Sequence, residues 1–262
     1  MSIWTYPDRS HSSGTLADAT VCIYCSVALQ RLFWEKRKGE SYNEDHDFFK
    51  GYVCQTCGWW KATIEIGTWN PRRTMFNYSY RKYGAAGSLK NLDLTDLTIP
   101  IEEVRSFLCA CYESRFSLHP RLYEETVASV FKSQGYDVVV TSYSNDGGID
   151  AILTKESEKI GVQVKRYKES IAVEQIRALT GALILAGLTK GMFVTTSRFQ
   201  AGAYPTSKQL ETKGYSIELV DAQRFYDALK LAQRPQYQSK EDFLATHDLS
   251  YMPKIAGGRN ID

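Results

Sequence analysis

Three side chains near the middle of the chain have the types and the spacing to handle a phosphate ester: Asp150, Gln163 and Lys165. A carboxylate and an amide carbonyl are oxygen donors of the kind that hold a hard cation such as Mg²⁺. An ammonium beside them suits the negative charge that builds when a phosphate is attacked. To act together, the three must be carried to one side of a sheet. Asp146-Gly147-Gly148 reads as a tight loop, since adjacent glycines favour positive φ and break periodic patterns. Ile149–Leu153 then reads as a short buried strand with Asp150 near its start. Glu156–Lys159 reads as a polar turn, and Ile160–Arg166 as the returning arm of a hairpin. Side chains alternate along a strand, so Val162 and Val164 face one way while Gln163 and Lys165 face the other. A plain polar hairpin face would show the same short pattern, so the neighbouring elements matter.

Upstream, His119-Pro120 is suited to start a helix. Tyr123, Val127, Val130 and Phe131 form its apolar stripe, and Gly135 ends it. At about 100° per residue, Glu124 sits on the shoulder of that stripe and Glu125 points nearly opposite. Glu124 is therefore the acid expected to reach inward, a boundary salt bridge being the alternative. Val138–Val140 reads as a strand leading into the glycine loop. Downstream, Val173 to about Leu185 reads as a helix with Ile176, Leu179, Leu183 and Ile184 inward, and Gly191–Thr196 as a β-branched strand. Tyr215–Val220 adds a strand and Asp221–Leu231 a helix with Asp221 as N-cap. Periodicity alone thus spells an αβββαβ core, an α/β fold.

Nearer the N-terminus, Cys22-Ile-Tyr-Cys25 and Cys54-Gln-Thr-Cys57 are separated by twenty-eight residues. Two Cys-x-x-Cys pairs read as a four-thiolate tetrahedral zinc site, Cys22, Cys25, Cys54 and Cys57, with no open position and hence a structural role. A redox dithiol would need only one pair, and His46 is a spare ligand in the intervening loop. The alternating Ala62–Ile66 after the second pair reads as a strand, as in zinc ribbons. Between Lys61 and Lys90 basic residues, Arg72 and Arg73 among them, are interleaved with Trp69, Phe76, Tyr78, Tyr80 and Tyr83. That mixture can follow a phosphate backbone and stack on bases, or serve as the packed surface of a small module. Cys109 and Cys111 lie on a helix expected from Pro100 to about Tyr112. A catalytic thiol paired with His119 can be drawn there, but packing is the ordinary role of such cysteines.

The chain of 262 residues is 43% hydrophobic and carries a net charge of +2, so any basic surface must be local. Its longest apolar run, Gly181–Leu188, is too short to span a bilayer, and the N-terminal residues lack the apolar stretch of a secretory signal. A cytoplasmic protein with reduced thiols is expected. The expected organisation is a loose lead-in over 1–18, a zinc-ribbon-like module over 19–84, and a linker with a bracing helix over 85–118. A catalytic domain over 119–233 and a tail over 234–262 complete it. Gly84–Ser88 is the expected linker.

The stretch from Pro120 to about Leu229 resembles the catalytic domain of the Mrr-like restriction endonucleases, a branch of the PD-(D/E)xK nucleases. The matching blocks include Tyr123-Glu124-Glu125, Asn145–Asp150, Gln163-Val164-Lys165-Arg166-Tyr167, Ile176–Ala182, Phe193–Ser197 and Ile217–Asp221. The resemblance implies a mixed central sheet and metal-dependent hydrolysis of DNA that leaves a 5′-phosphate. Mg²⁺ would be held by Asp150, the Gln163 side-chain oxygen and the Val164 carbonyl, with Glu124 helping directly or through water. Lys165 would orient the attacking water. Asp146 reads as the cap of the glycine loop and Arg166 and Arg177 as DNA contacts, with Arg72 and Arg73 added from the basic, aromatic stretch outside the resemblance. Thr195 and Thr196 are further candidates for phosphate contact, with structural roles as the alternative. Two departures stand out: Ile149 replaces the usual proline and Gln163 the usual acid. The branch tolerates both, but a neutral amide removes one negative ligand and leaves a second metal open. Restriction or phage defence is the leading role. A repair or junction-resolving nuclease and a non-catalytic DNA-binding adaptor stay open. One active site per chain makes a homodimer the expected route to a double-strand break, and other defence-system subunits are open as partners.

Overall fold

The computed structural model describes residues 3–5, 18–37, 44–70, 77–141, 147–233, 237, 239–247 and 249. The chain divides into two compact units, Met1–Asn91 with Arg234–Asp262, and Leu92–Gln233.

The first unit contains β1 (Trp4–Thr5), β2 (Gln30–Arg37), β3 (Glu44–Val53), β4 (Trp60–Asn70), β5 (Asn77–Ala86) and β6 (Ser88–Leu89). Strands β2 to β5 form an antiparallel meander in chain order, while β1 pairs with β6. Register places Phe33, Phe49, Ile64, Ala62 and Trp60 on one face, and this face is the core. Gly51 makes room for it: a methyl there would lie 2.2 Å from the Phe33 ring. The helix Lys240–Thr246 closes this face, with Phe243 fully buried at 5.7 Å from the Phe33 ring and 5.4 Å from the Trp60 ring. Lys240 pairs with Glu35 at 2.6 Å. These residues were expected to form a tail. The short apolar signal of Phe243 and Leu244 acquires its meaning only from the distant aromatic strands it covers. Gly84–Ser88, expected as a linker, instead completes β5 and starts β6, with Ala85 and Ala86 buried.

The second unit runs α1 (Ile101–Ala110), α2 (Pro120–Ser133), β7 (Asp137–Val140), β8 (Ala151–Lys155), β9 (Glu158–Lys165), α3 (Val173–Leu185), β10 (Lys190–Thr195), α4 (Ala203–Glu211), β11 (Ser216–Val220) and α5 (Ala222–Leu231). The sheet order is β11-β10-β9-β8-β7, antiparallel from β7 to β9 and parallel from β9 to β11. The αβββαβ core therefore stands, built on a five-stranded mixed sheet. Helix α4 is an addition that periodicity did not reveal, because only Ala203 on it is buried. Helix α1 is part of this unit's core. Its Arg105 donates to the Ser129 and Ser133 hydroxyls at 2.9 Å and to the Ala232 carbonyl at 2.6 Å, tying α1 to α2 and the end of α5. Cys111 lies just beyond α1, as its C-cap.

Two glycines set the position of α3. Gly161 and Gly191 are register partners on β9 and β10, and a methyl on either would meet Leu183 at 2.6 Å or 2.5 Å. The helix sits close to the sheet because this seat has no Cβ. Ile176, Leu179 and Leu183 point inward, but Ile184 is 53% exposed. It lies one position past Leu183, turned off the buried stripe.

Candidate active site

The β8–β9 hairpin turns through Glu156 and Ser157, both at positive φ, so only two residues form the turn and Glu158 and Lys159 already belong to β9. At the other end of the hairpin, Asp150 stands one residue before β8. Its backbone N–H donates to the Val162 carbonyl at 2.8 Å, and its carbonyl accepts from the Thr141 N–H at 2.9 Å. The Thr141 hydroxyl donates to the Ile149 carbonyl at 2.8 Å, so the strand start is held from β7's side as well.

The Asp150 carboxylate accepts the Val164 N–H at 2.6 Å. Val164 lies between Gln163 and Lys165, so the carboxylate is fastened to the strand that carries both. A carboxylate bonded to a strand N–H lies near the plane of the sheet, and the two Asp150 contacts, to Val162 and Val164, bracket Gln163. Gln163 is 8% exposed and sits opposite Phe193. A methyl on Gly148 would come 3.6 Å from both Gln163 Nε2 and Ala182 Cβ. The end of the glycine loop, the Gln163 amide and α3 thus meet at one point. Lys165 ends β9 opposite Thr195, on the same side of the strand as Gln163.

Glu124 is largely buried, its side chain 16% exposed, and pairs with Arg121 at 3.2 Å. The same guanidinium takes Glu125 at 3.0 Å and donates to the Thr141 carbonyl at 3.2 Å. Arg121 therefore links both acids of α2 to the backbone that holds Asp150. Glu125, expected to point away, is drawn in by this shared cation. Arg121 was not anticipated, although its i,i+3 and i,i+4 spacing to the two acids was visible in the sequence.

The remaining candidates are more scattered. Arg166 donates to the Phe116 carbonyl, and its Nε is buried with no hydrogen-bond partner among the described residues, so part of this side chain serves the interior. Arg177 is exposed on α3. Arg72, Arg73 and Asp146 lie outside the described residues, as do the side chains of His46, Trp69, Phe76, Tyr78 and Tyr80. Thr195 and Thr196 are fully buried and serve the fold. Thr196 donates to the Tyr167 carbonyl at 2.8 Å, Ser197 to the Glu169 carbonyl at 2.6 Å, and Arg115 Nε to the Thr196 carbonyl at 2.9 Å. Together they pin the segment that follows Lys165.

A second centre lies in the other unit. The ligand atoms of Cys22, Cys25, Cys54 and Cys57 all fall within 4.8 Å of one another, the one such cluster of three or more Cys, His, Asp or Glu among the described residues. The sulfurs of Cys22 and Cys57 are 3.5 Å apart, those of Cys25 and Cys54 3.3 Å, and those of Cys25 and Cys57 3.7 Å. Tetrahedral zinc with bonds of about 2.3 Å needs sulfurs about 3.8 Å apart, so the cage fits a metal ion of that size. The two halves repeat one design. Cys22 N–H donates to the Val27 carbonyl and Ser26 N–H to the Cys22 carbonyl; Cys54 N–H donates to Trp59 and Gly58 N–H to Cys54. Ser26 and Gly58 both adopt positive φ, at 59° and 77°. Thiols this close cannot all ionise without a cation: hydrogen bonds among them push Cys22 and Cys57 up and hold Cys25 and Cys54 down. Trp4 Nε1 donates to the Cys57 carbonyl at 3.1 Å and Tyr24 accepts the Leu89 N–H at 3.2 Å, tying β1 and β6 to the cage.

No curated protein matches the chain. Among solved structures it is similar to a protein of unknown function, AF1548, with 14% identity and a TM-score of 0.33 over 47% of this chain and 64% of that one. It is also similar to the MspJI restriction endonuclease in complex with a 27-mer oligonucleotide (18%, TM-score 0.31, 58% and 36%). A third is the DNA modification-dependent restriction endonuclease AspBHI (13%, TM-score 0.30, 70% and 59%). The chain spans less than two thirds of the length of each. Residues 116–229 match the Mrr catalytic-domain family, described as restriction endonuclease. The chain therefore carries a restriction endonuclease domain of the Mrr type.

Proposed function

We propose that the chain is a metal-dependent DNA endonuclease acting in restriction or phage defence in the cytoplasm. The observation that carries this reading is the bond from the Val164 N–H to the Asp150 carboxylate, which ties the acid to the Gln163-Val164-Lys165 strand. Asp150, the Gln163 side-chain oxygen and the Val164 carbonyl would hold Mg²⁺, with Glu124 contributing directly or through water. All are oxygen donors, as a hard cation requires. When bound, the cation supplies Lewis acidity, polarising a phosphate oxygen and easing loss of a proton from water.

The chain's own residues do the rest. The Val164 N–H and the Thr141 contacts hold Asp150 in place. Lys165 orients the attacking water and offsets charge gathering on the phosphate. The water oxygen bonds to phosphorus as the bond to the 3′ oxygen breaks; the 3′ oxygen takes up a proton and a 5′-phosphate remains. Arg177 and the outward part of Arg166 would meet the DNA backbone, with Arg72 and Arg73 contributing from the other unit. Zinc in the four-cysteine cage would be structural, and metal analysis of purified protein should find it in stoichiometric amount. A double-strand break needs two such sites, so the working form would be a homodimer, which light scattering can check.

Incubation with plasmid, methylated and unmethylated, tests the reading. Nicked or linear product should appear with Mg²⁺ and vanish in Asp150→Ala and Lys165→Ala, both still folded by circular dichroism. Full Mg²⁺-dependent cleavage by either variant would overturn it.

A further inference from the structure

The antiparallel sheet of the first unit has two unlike faces. One is sealed by the helix Lys240–Thr246. The other carries Trp34 and Phe48, whose rings stack at 5.4 Å with an interplanar angle of 20°. Trp34 is 50% exposed, so it has no core to fill. By register, Trp34 stands opposite Lys50, Lys36 opposite Phe48, Arg31 opposite Tyr52 and Tyr52 opposite Lys61. Glu65, which faces Phe48, stands opposite Lys82. Lys50 and Lys36 lie 5.5 Å and 6.0 Å from the Phe48 ring, and Lys61 4.8 Å from that of Tyr52. Five cations thus share this face with two acids. Glu65 pairs with Lys50 at 2.6 Å, Asp18 pairs with Lys82, and Lys61 is buried, so the positive balance is carried at the surface by Arg31 and Lys36.

We propose that this face binds DNA with unpaired bases, the bases stacking on Trp34 and Phe48 and the phosphates meeting Arg31 and Lys36. Aromatic surfaces ringed by cations suit single strands, because every base has a π-face and every linkage a negative charge. A duplex keeps its bases stacked on each other and leaves an exposed tryptophan little to hold. The choice of DNA among polyanions rests on the nuclease reading of the other unit; the choice of unpaired bases rests on the rings.

The test is anisotropy of a short fluorescein-labelled oligo(dT), using the full chain with Asp150→Ala so that the probe survives. Trp34→Ala should weaken binding roughly tenfold and Trp34→Tyr should restore most of it, as stacking lost and regained predicts. Lys36→Glu should weaken binding and flatten its dependence on salt. Trp34→Ala should weaken the single strand far more than a blunt duplex of equal length, which the other unit also engages. Unchanged affinity in Trp34→Ala, an equal loss on duplex and single strand, or tighter binding of oligo(U) than of oligo(dT) would each overturn the proposal. Should Trp34→Ala fail to fold, Trp34→Leu and Lys36→Glu, each read on both probes, decide. Plasmid cleavage by the unaltered chain is read separately, so a failed platform beside intact cleavage differs from a sound platform without cleavage.

Discussion

At the scale of single residues, the proposed site turns on how a neutral amide, Gln163, would serve where the resemblance leads one to expect an acid. Gln163 is buried against Phe193 and reaches Gly148, in a place where an unpaired negative charge would be costly. Gln163→Glu should therefore lower the Mg²⁺ concentration needed for half-maximal cleavage by several-fold, while lowering the melting temperature in metal-free buffer. A Mg²⁺ titration of cleavage, paired with melting curves with and without Mg²⁺, measures both effects. Asp150, Gln163, Lys165 and Glu124 were all legible as candidates, because alternation along a strand and the helical angle decide which way a side chain faces. Arg121 was not read, although its spacing was plain. Its partners include the carbonyl of Thr141, and a backbone acceptor leaves no mark in a sequence.

At the scale of elements, packing depends on residues too small to draw attention. Leu183 seats α3 in the gap left by Gly161 and Gly191, and α3 brings Ala182 up to the glycine loop. Gly191→Ala should cost about 1–3 kcal/mol from overpacking, and should reduce cleavage as well by lifting α3. Chemical denaturation beside a plasmid assay separates the two effects. The helix Lys240–Thr246 makes a different demand. His247 follows it, buried against the Trp60 ring at 4.3 Å and bonded to the Tyr237 hydroxyl at 2.7 Å. Burial pushes its pKa down to about 4, below the usual 6.5. The unfolded chain thus takes up a proton that the folded one refuses, so stability is complete above pH 6.5, falls as pH drops towards 4 and levels off below. The loss should reach up to about 2–3 kcal/mol once partial solvent screening is allowed for. Melting of the chain across that range should show it, and His247→Gln should flatten the profile.

At the scale of the whole molecule, the two units were unequally legible. The αβββαβ core declared itself because its helices carry one buried stripe, β8 alternates, and β9 and β10 are short apolar runs buried on both faces. The N-terminal sheet did not, since β2 and β3 mix rings and charges on both faces: Trp34 beside Glu35, Phe48 beside Phe49. What separates core from surface there is the helix Lys240–Thr246, far away along the chain. Two units with separate cores also predict separate unfolding. A zinc chelator should lower one calorimetric transition by several degrees or more and leave the other in place, since the cysteine cage belongs to one unit alone. No helix among the described residues is long and apolar enough to cross a membrane.

Because Phe243 and His247 complete a sheet begined by residues near the start of the chain, the order of synthesis matters. As the ribosome works through the message, the second unit is translated in full while the aromatic face of the earlier sheet still waits for its cover. A stalled or prematurely terminated product lacking that helix would carry a finished second unit and an unfinished first one with its greasy side bare, a species marked for proteolysis.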